Sequence, residues 1–226
     1  MLQLMIGNKN YSSWSMRAWV LMRQLGIPFE EIKLRLDFAP DSDFKRTVAR
    51  FSPTGQVPVL LDDGFAVWDT LAITEYLNEI HPGAGIWPGD AKARARARCL
   101  AAEMHAGFGA LRSHCPMNVE AQLPDIGARA WAEQAGVRAN VQRIESMWAQ
   151  ALADSGGPFL FGAFSAVDAY YAPVCLRLQR YALPVSDATT AYVGRMLATS
   201  AVLAWVADAL AERDFIAEDE PYRKRP

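Results

Sequence analysis

No apolar run in this chain approaches the roughly 20 residues that a membrane-spanning helix needs, and residues 1–7 carry no basic segment ahead of a hydrophobic one. Both absences argue for a soluble cytoplasmic protein with no membrane partner. A surplus of charge is missing too. With 23 Lys and Arg against 25 Asp and Glu, the formal charge is −2, which leaves no electrostatic footprint for nucleic acid. Cysteine is scarce: Cys99, Cys115 and Cys175 are odd in number and form no CxxC, and His81, His105 and His114 are scattered. This argues against a disulfide framework and against a metal site. Repeats are lacking, and the one biased tract, the Ala/Arg alternation over 92–98, scatters charge around a helix as a solvated or subunit-facing surface does.

What is present is a 51% apolar composition over 226 residues, enough for one large or two small domains with cores of their own. Residues 3–7 read as a strand. Ala18, Leu21, Met22 and Leu25 recur at i, i+3, i+4 and i+7 and predict a helix over 15–25, stopped by Gly26-Ile27-Pro28. Residues 29–36 alternate as a strand, with Ile32, Leu34 and Leu36 on one face. Phe44, Val48 and Phe51 give a short helix, 57–61 a strand, Asp62-Asp63-Gly64 a hairpin, and 65–68 a further strand. Ile73, Tyr76, Leu77 and Ile80 then form the buried stripe of a helix capped by Asp69 or Thr70. The order over residues 1–81 is βαβαββα. Residues 82–90, with Pro, Gly and a lone Trp87, read as a linker, and 91–226 as all-helical. One helix is expected from Lys92 to His114, a second through Val137, Val141, Ile144, Trp148 and Leu152, and a last from Ser200. Between them Ser165-x-x-Asp168 is a capping box. The charged tail from Glu212 onward reads as mobile.

The stretch Asn8-Lys9-Asn10-Tyr11-Ser12-Ser13-Trp14-Ser15-Met16-Arg17 is a polar turn running into the first helix. A helix N-terminus carries about half a positive charge and unpaired N–H donors, so it favours an anion. A serine hydroxyl there either caps the helix or donates to a bound thiolate or oxyanion. A second oddity is Pro58, which cannot donate to a sheet ladder and so belongs at the mouth of its strand.

This order of elements, with four segments in sequence, resembles the glutathione transferases, whose first domain is thioredoxin-like and is followed by an all-helical one. Ser12-Ser13-Trp14-Ser15-Met16-Arg17 is similar to the serine motif of the theta- and zeta-like bacterial classes, with Trp14 where zeta enzymes have Cys. Gly55-Gln56-Val57-Pro58-Val59-Leu60 is similar to the segment with a cis proline, whose preceding residue pairs with the cysteinyl part of glutathione. Trp68-Asp69-Thr70-Leu71-Ala72-Ile73 occupies the place of the pair that holds the γ-glutamyl group, and the box at Ser165 is the family's folding element.

The resemblance implies glutathione as co-substrate and a thiolate stabilised by Ser12, with Ser13 the alternative and Tyr11 a third. It implies contacts to glutathione from Ser12, Gln56, Val57, Pro58, Asp69 and Thr70, with Asp69 on the ammonium and Thr70 on the carboxylate; a plain helix cap is the competing role of that pair. Gln56 or Lys45 would take the glycine carboxylate. The second substrate, a small hydrophobic electrophile, is expected in an apolar pocket between the domains, lined by Met104, His105, Phe108, Leu111 and Arg112 on one long helix. Arg180 lies near where zeta enzymes keep an arginine for a dicarboxylate, its ordinary role being a surface ion pair. The implied protein is a homodimeric transferase; a glutathione-dependent isomerase of the maleylacetoacetate type, or a binding protein of the same fold, are the alternatives.

Overall fold

Period-2 alternation in strand β1 (Leu2–Ile6) sends Leu2, Leu4 and Ile6 to one face and Met5 to the other, and all four are buried. In the computed structural model, which describes residues 1–224, helix α1 (Ser13–Gln24) crosses from β1 to the parallel strand β2 (Glu30–Lys33). Parallel pairing needs such a crossover. Helix α2 (Asp43–Ala49), strands β3 (Val59–Asp62) and β4 (Phe65–Val67), and helix α3 (Thr70–Ile80) follow. The strand order is β2-β1-β3-β4, with β3 antiparallel to both its neighbours, so Met5 stands between Ile32 and Val59. The thioredoxin-like βαβαββα order is as expected.

The second half is helical: α4 (Ala91–Ala106), α5 (Gly109–His114), α6 (Pro124–Glu133), α7 (Ala135–Ser155), α8 (Ala166–Arg180), α9 (Asp187–Leu197) and α10 (Ser200–Glu212). Helix α1 is held between the sheet and α8, so Leu4, Trp19 and Val20 share one hydrophobic cluster with Tyr170, Cys175 and Trp205. The smaller cluster on the other sheet face joins Met5, Phe44, Val48 and Val59. Among the described residues no single helix is long and apolar enough to cross a membrane, and no three His, Cys, Asp or Glu side chains gather as a metal site.

Two expectations need correction. The helix expected from Lys92 to His114 is two helices, broken at Gly107-Phe108, where Phe108 takes φ +57°. A Cβ on Gly107 would lie 2.7 Å from the Glu103 carbonyl oxygen, and Phe108 turns inward to 6% exposure. Burial of a large aromatic outweighs the modest cost of a left-handed residue. The tail is not loose either. Ile216 is buried in the smaller cluster, and Glu220, 5% exposed, accepts bonds from Tyr11 (2.8 Å), Asn118 (2.9 Å) and Arg223 (2.9 Å). Its last residues, 225–226, lie outside the described ones.

Candidate active site

The loop leading into α1 is fixed largely by contacts with the second half. Asn10 Oδ1 accepts the N–H groups of Val119 and Glu120, both at 2.9 Å, and Glu212 accepts the Lys9 N–H at 2.9 Å. The Lys9 ammonium, 3% exposed, lies 2.7 Å from Glu31 and 2.6 Å from Asp208, over the Trp19 ring. Pairing of this kind offsets the desolvation cost of a buried charge. So anchored, the loop delivers Ser12 to the N-cap position, yet its side chain accepts no capping bond from the helix backbone. Its hydroxyl instead donates to Ser15 Oγ at 2.7 Å, and Ser15 Oγ accepts the Gly7 N–H at 3.2 Å. Ser13, the first helical residue, has no hydroxyl bond to the described residues, and the first turn holds no acidic side chain. The positive end of the dipole is therefore uncompensated. Tyr11 has no donor to spare, because its hydroxyl goes to Glu220 and burial pushes its pKa up to about 12.

Around Trp14 and Gln56 lie three adjoining cavities of about 520, 530 and 300 Å³. Val57, Pro58, Asp69, Thr70, His105 and Arg112 line the first, and the Val57–Pro58 bond is cis. Asp69 caps α3 through the Leu71 N–H (3.0 Å) and holds His105 Nε2 at 3.1 Å. Thr70 is 1% exposed, and its Oγ1 has no partner among the described residues. A buried hydroxyl left without a bond costs about 1–3 kcal/mol, so this one favours a ligand that supplies an acceptor. Ser12, Ser13, Lys45, Gln56 and Val57 line the smallest cavity, where Lys45 Nζ donates to the Gly55 carbonyl at 3.3 Å.

Ser13, Arg112, Ser113, Met117, Arg177 and Asp219 are among the residues lining the second cavity. This wall is polar, not apolar. Met104 and Phe108 do not reach it, nor does Leu111: Met104 and Leu111 are wholly buried in the core, and the turn at Gly107 sends Phe108 there too. His105 and Arg112 do line the cleft, His105 at its Asp69 end. Arg180 lines none of these three cavities. Arg177 and Asp219 escaped the sequence reading. An arginine closing the apolar run Tyr170–Leu176 was the available signal for the first; nothing in the tail pointed to the second.

Charge in this region is unbalanced. Arg177 is 3% exposed and gives Nε to the Cys115 carbonyl at 2.9 Å, while its Nη1 has no partner among the described residues. Arg17, wholly buried, stacks on Trp14 at 3.9 Å with none of its three guanidinium nitrogens hydrogen-bonded among the described residues. Arg17 is pushed down to about 9, chiefly by burial with Arg177 and Arg112 adding to it, and Arg177 down to about 10, chiefly by burial with Arg112 adding to it. None of the three cysteines lines these cavities, so a thiol reacting here has to arrive with a ligand.

Two family models match the chain: the glutathione S-transferase N-terminal domain over residues 11–80 and the glutathione S-transferase C-terminal domain over 129–208. A dichloromethane dehalogenase of Methylorubrum extorquens is 40% identical over 74 residues, 32% of this chain and 25% of its own. The match thus spans about a quarter of that relative's length. The maleylacetoacetate isomerase of Rattus norvegicus is 26% identical over 180 residues, 79% of this chain and 80% of its own. Among solved structures, a glutathione transferase homologue from Burkholderia GL BGR1 with bound glutathione has the same fold, with TM-score 0.70, 24% identity, and coverage of 93% of this chain and 98% of that one.

Proposed function

The chain belongs to the glutathione S-transferase family, and from that premise we propose that it binds glutathione along the cleft and activates its thiol for attack on a small electrophile. One observation carries this reading: the uncapped, serine-bearing start of α1 opens onto the same cleft as Asp69 and the unpartnered Thr70 hydroxyl. Asp69 takes the α-ammonium group. Thr70 Oγ1 gives the α-carboxylate its hydrogen bond at the N-terminus of α3. The backbone of Val57 pairs with the cysteinyl part, and Lys45 or Gln56 takes the glycine carboxylate. The sulfur then lies at Ser12 and Ser13.

The bound tripeptide supplies a thiol, which titrates near 8.5 when free. Lowering that by about two units requires roughly 2.7 kcal/mol of preference for the anion. One hydrogen bond to a charged group contributes about 1.5–3 kcal/mol and a helix N-terminus about 0.3–1, so the serine pair and the dipole of α1 suffice. Ser12 is favoured by its place in the motif, Ser13 by its open hydroxyl. Titration of bound glutathione by its ultraviolet thiolate absorbance tests the proposal. The expected midpoint lies about two units below that of the free tripeptide; an unchanged midpoint overturns it.

A second reading is supported by the long match to the isomerase: a cis–trans isomerisation in which glutathione adds and leaves again. Product analysis separates the two, since conjugation consumes glutathione and isomerisation returns it. A binding protein of the same fold would give neither. The assembly proposed with the enzyme is a homodimer, to be read from sedimentation.

A further inference from the structure

The second cavity, about 530 Å³, touches Ser13 but draws most of its charged wall from elsewhere: Arg112 on α5, Arg177 on α8 and Asp219 on the tail. Arg177 is all but wholly buried, and its Nη1 is left without a hydrogen bond among the described residues. Arg112 makes no ion pair among the described residues, and neither arginine meets Asp219 within 4 Å, although all three line one space. Asp219 Oδ2 is likewise buried and unpartnered. Two cations and one anion that share a cavity without touching leave room for a bound group with charge of its own. Buried charge without a partner is costly, and a planar guanidinium is matched best by a carboxylate. Burial beside Glu218 and Glu220 pushes Asp219 up to about 6, so it is largely ionised above that pH.

Resting on the glutathione reading, we propose that this cavity selects an electrophile with a single carboxylate, held by Arg177 and Arg112, and that Asp219 turns a second carboxylate away. The cavity departs from the apolar pocket expected for a hydrophobic electrophile, and Asp219 departs from what a dicarboxylate would need. Its place beside Ser13 brings the reacting carbon of such a molecule next to the thiolate, with the acid group on the far wall. The tail contributes directly to specificity, because the Glu220 bonds to Tyr11, Asn118 and Arg223 fix Asp219 in the wall.

Calorimetric titration with a matched set of product analogues tests this: S-methylglutathione, S-(3-carboxypropyl)glutathione, its primary amide, and S-(1,2-dicarboxyethyl)glutathione. The acid is expected to bind at least tenfold tighter than the amide, as one charge-assisted bond implies, and the diacid no tighter than the acid. Equal affinity for acid and amide overturns the subsite, and a diacid that binds tightest overturns the role of Asp219. Arg112→Gln and Arg177→Gln should each shrink the acid-to-amide ratio, and Asp219→Asn should favour the diacid. Where Arg177→Gln fails to fold, the wild-type ligand set and Arg112→Gln decide. If S-methylglutathione itself does not bind, the glutathione reading fails and the subsite is judged alone, by glutaramate against glutaramide on the free protein. A preference for the acid keeps the subsite, and equality removes it.

Discussion

Helices α1 and α8 both begin with a serine, and they spend it in opposite ways. At α8 the start is closed. Ser165 and Asp168 form the reciprocal capping box, and the Asp168 carboxylate also accepts the Leu160 N–H at 3.1 Å and the Tyr192 hydroxyl at 2.8 Å. At α1 the start is open: Ser12 bonds sideways to Ser15, the Ser13 hydroxyl bonds to none of the described residues, and the position matching Asp168 is Ser15 rather than an acid. A helix N-terminus whose donors are answered by its own chain holds a fold together. One left unanswered keeps its field for a guest.

The largest effect that sharpens this contrast is on stability. Asp168→Ala leaves four donors, the Leu160 and Ser165 N–H groups and the Ser165 and Tyr192 hydroxyls, without their acceptor in the core and should cost about 3 kcal/mol or more, measured by denaturant unfolding, with turnover of the folded fraction within about twofold of wild type. A pH series refines it. Burial pushes the Asp168 carboxyl up to about 6 from an ordinary 3.8, so between those values the folded state holds the proton more tightly than the unfolded chain does. The contribution of this group is present below about pH 4 and is lost as the pH rises through about 6, a slope that Asp168→Ala should abolish.

Next in size is the serine pair. Ser12→Ala combined with Ser13→Ala should cut turnover near pH 6.5 by roughly ten- to a hundredfold, the worth of one charge-assisted bond, yet shift stability by less than about 0.5 kcal/mol, since neither hydroxyl caps the helix. A double variant as unstable as Asp168→Ala would break the comparison. The single variants then assign the donor. Smaller again is Thr70→Val, which should weaken glutathione binding about tenfold while leaving stability unchanged or raised, because it removes a buried hydroxyl with no partner. Smallest is Tyr11→Phe, which leaves Asn118 and Arg223 on Glu220 and should lower stability by about 1 kcal/mol with turnover unchanged. A large loss of turnover there would return Tyr11 to the chemistry.

Much of this was legible in the chain. The 3.6-residue spacing of Ala18, Leu21, Met22 and Leu25, the hairpin at Asp62-Asp63-Gly64 and the box at Ser165 are local signals, and each produces its element where expected. The serine turn, Pro58 and the Asp69-Thr70 pair could be read for the same reason, because a strand end or a helix start is written in neighbouring residues. Gly107-Phe108 misled, since the run around it keeps helical spacing; only the demand of the core for the Phe108 ring breaks it. The tail misled through its charges, which look like solvent-facing groups until Tyr11, Asn118 and Arg223 are brought around Glu220.

The sequence by itself therefore determined the order of strands and helices and the serine-led starts of α1 and α8, which follow from spacing over a few residues, while the family was legible as a resemblance carried by four motifs in order. The tertiary structure alone decided which hydroxyls remain open, and that Arg112, Arg177 and Asp219, up to 107 positions apart, share one cavity and make no ion pair among the described residues. Local spacing fixes dihedrals and faces, whereas the desolvation that makes an unpaired guanidinium matter depends on what the rest of the chain packs around it.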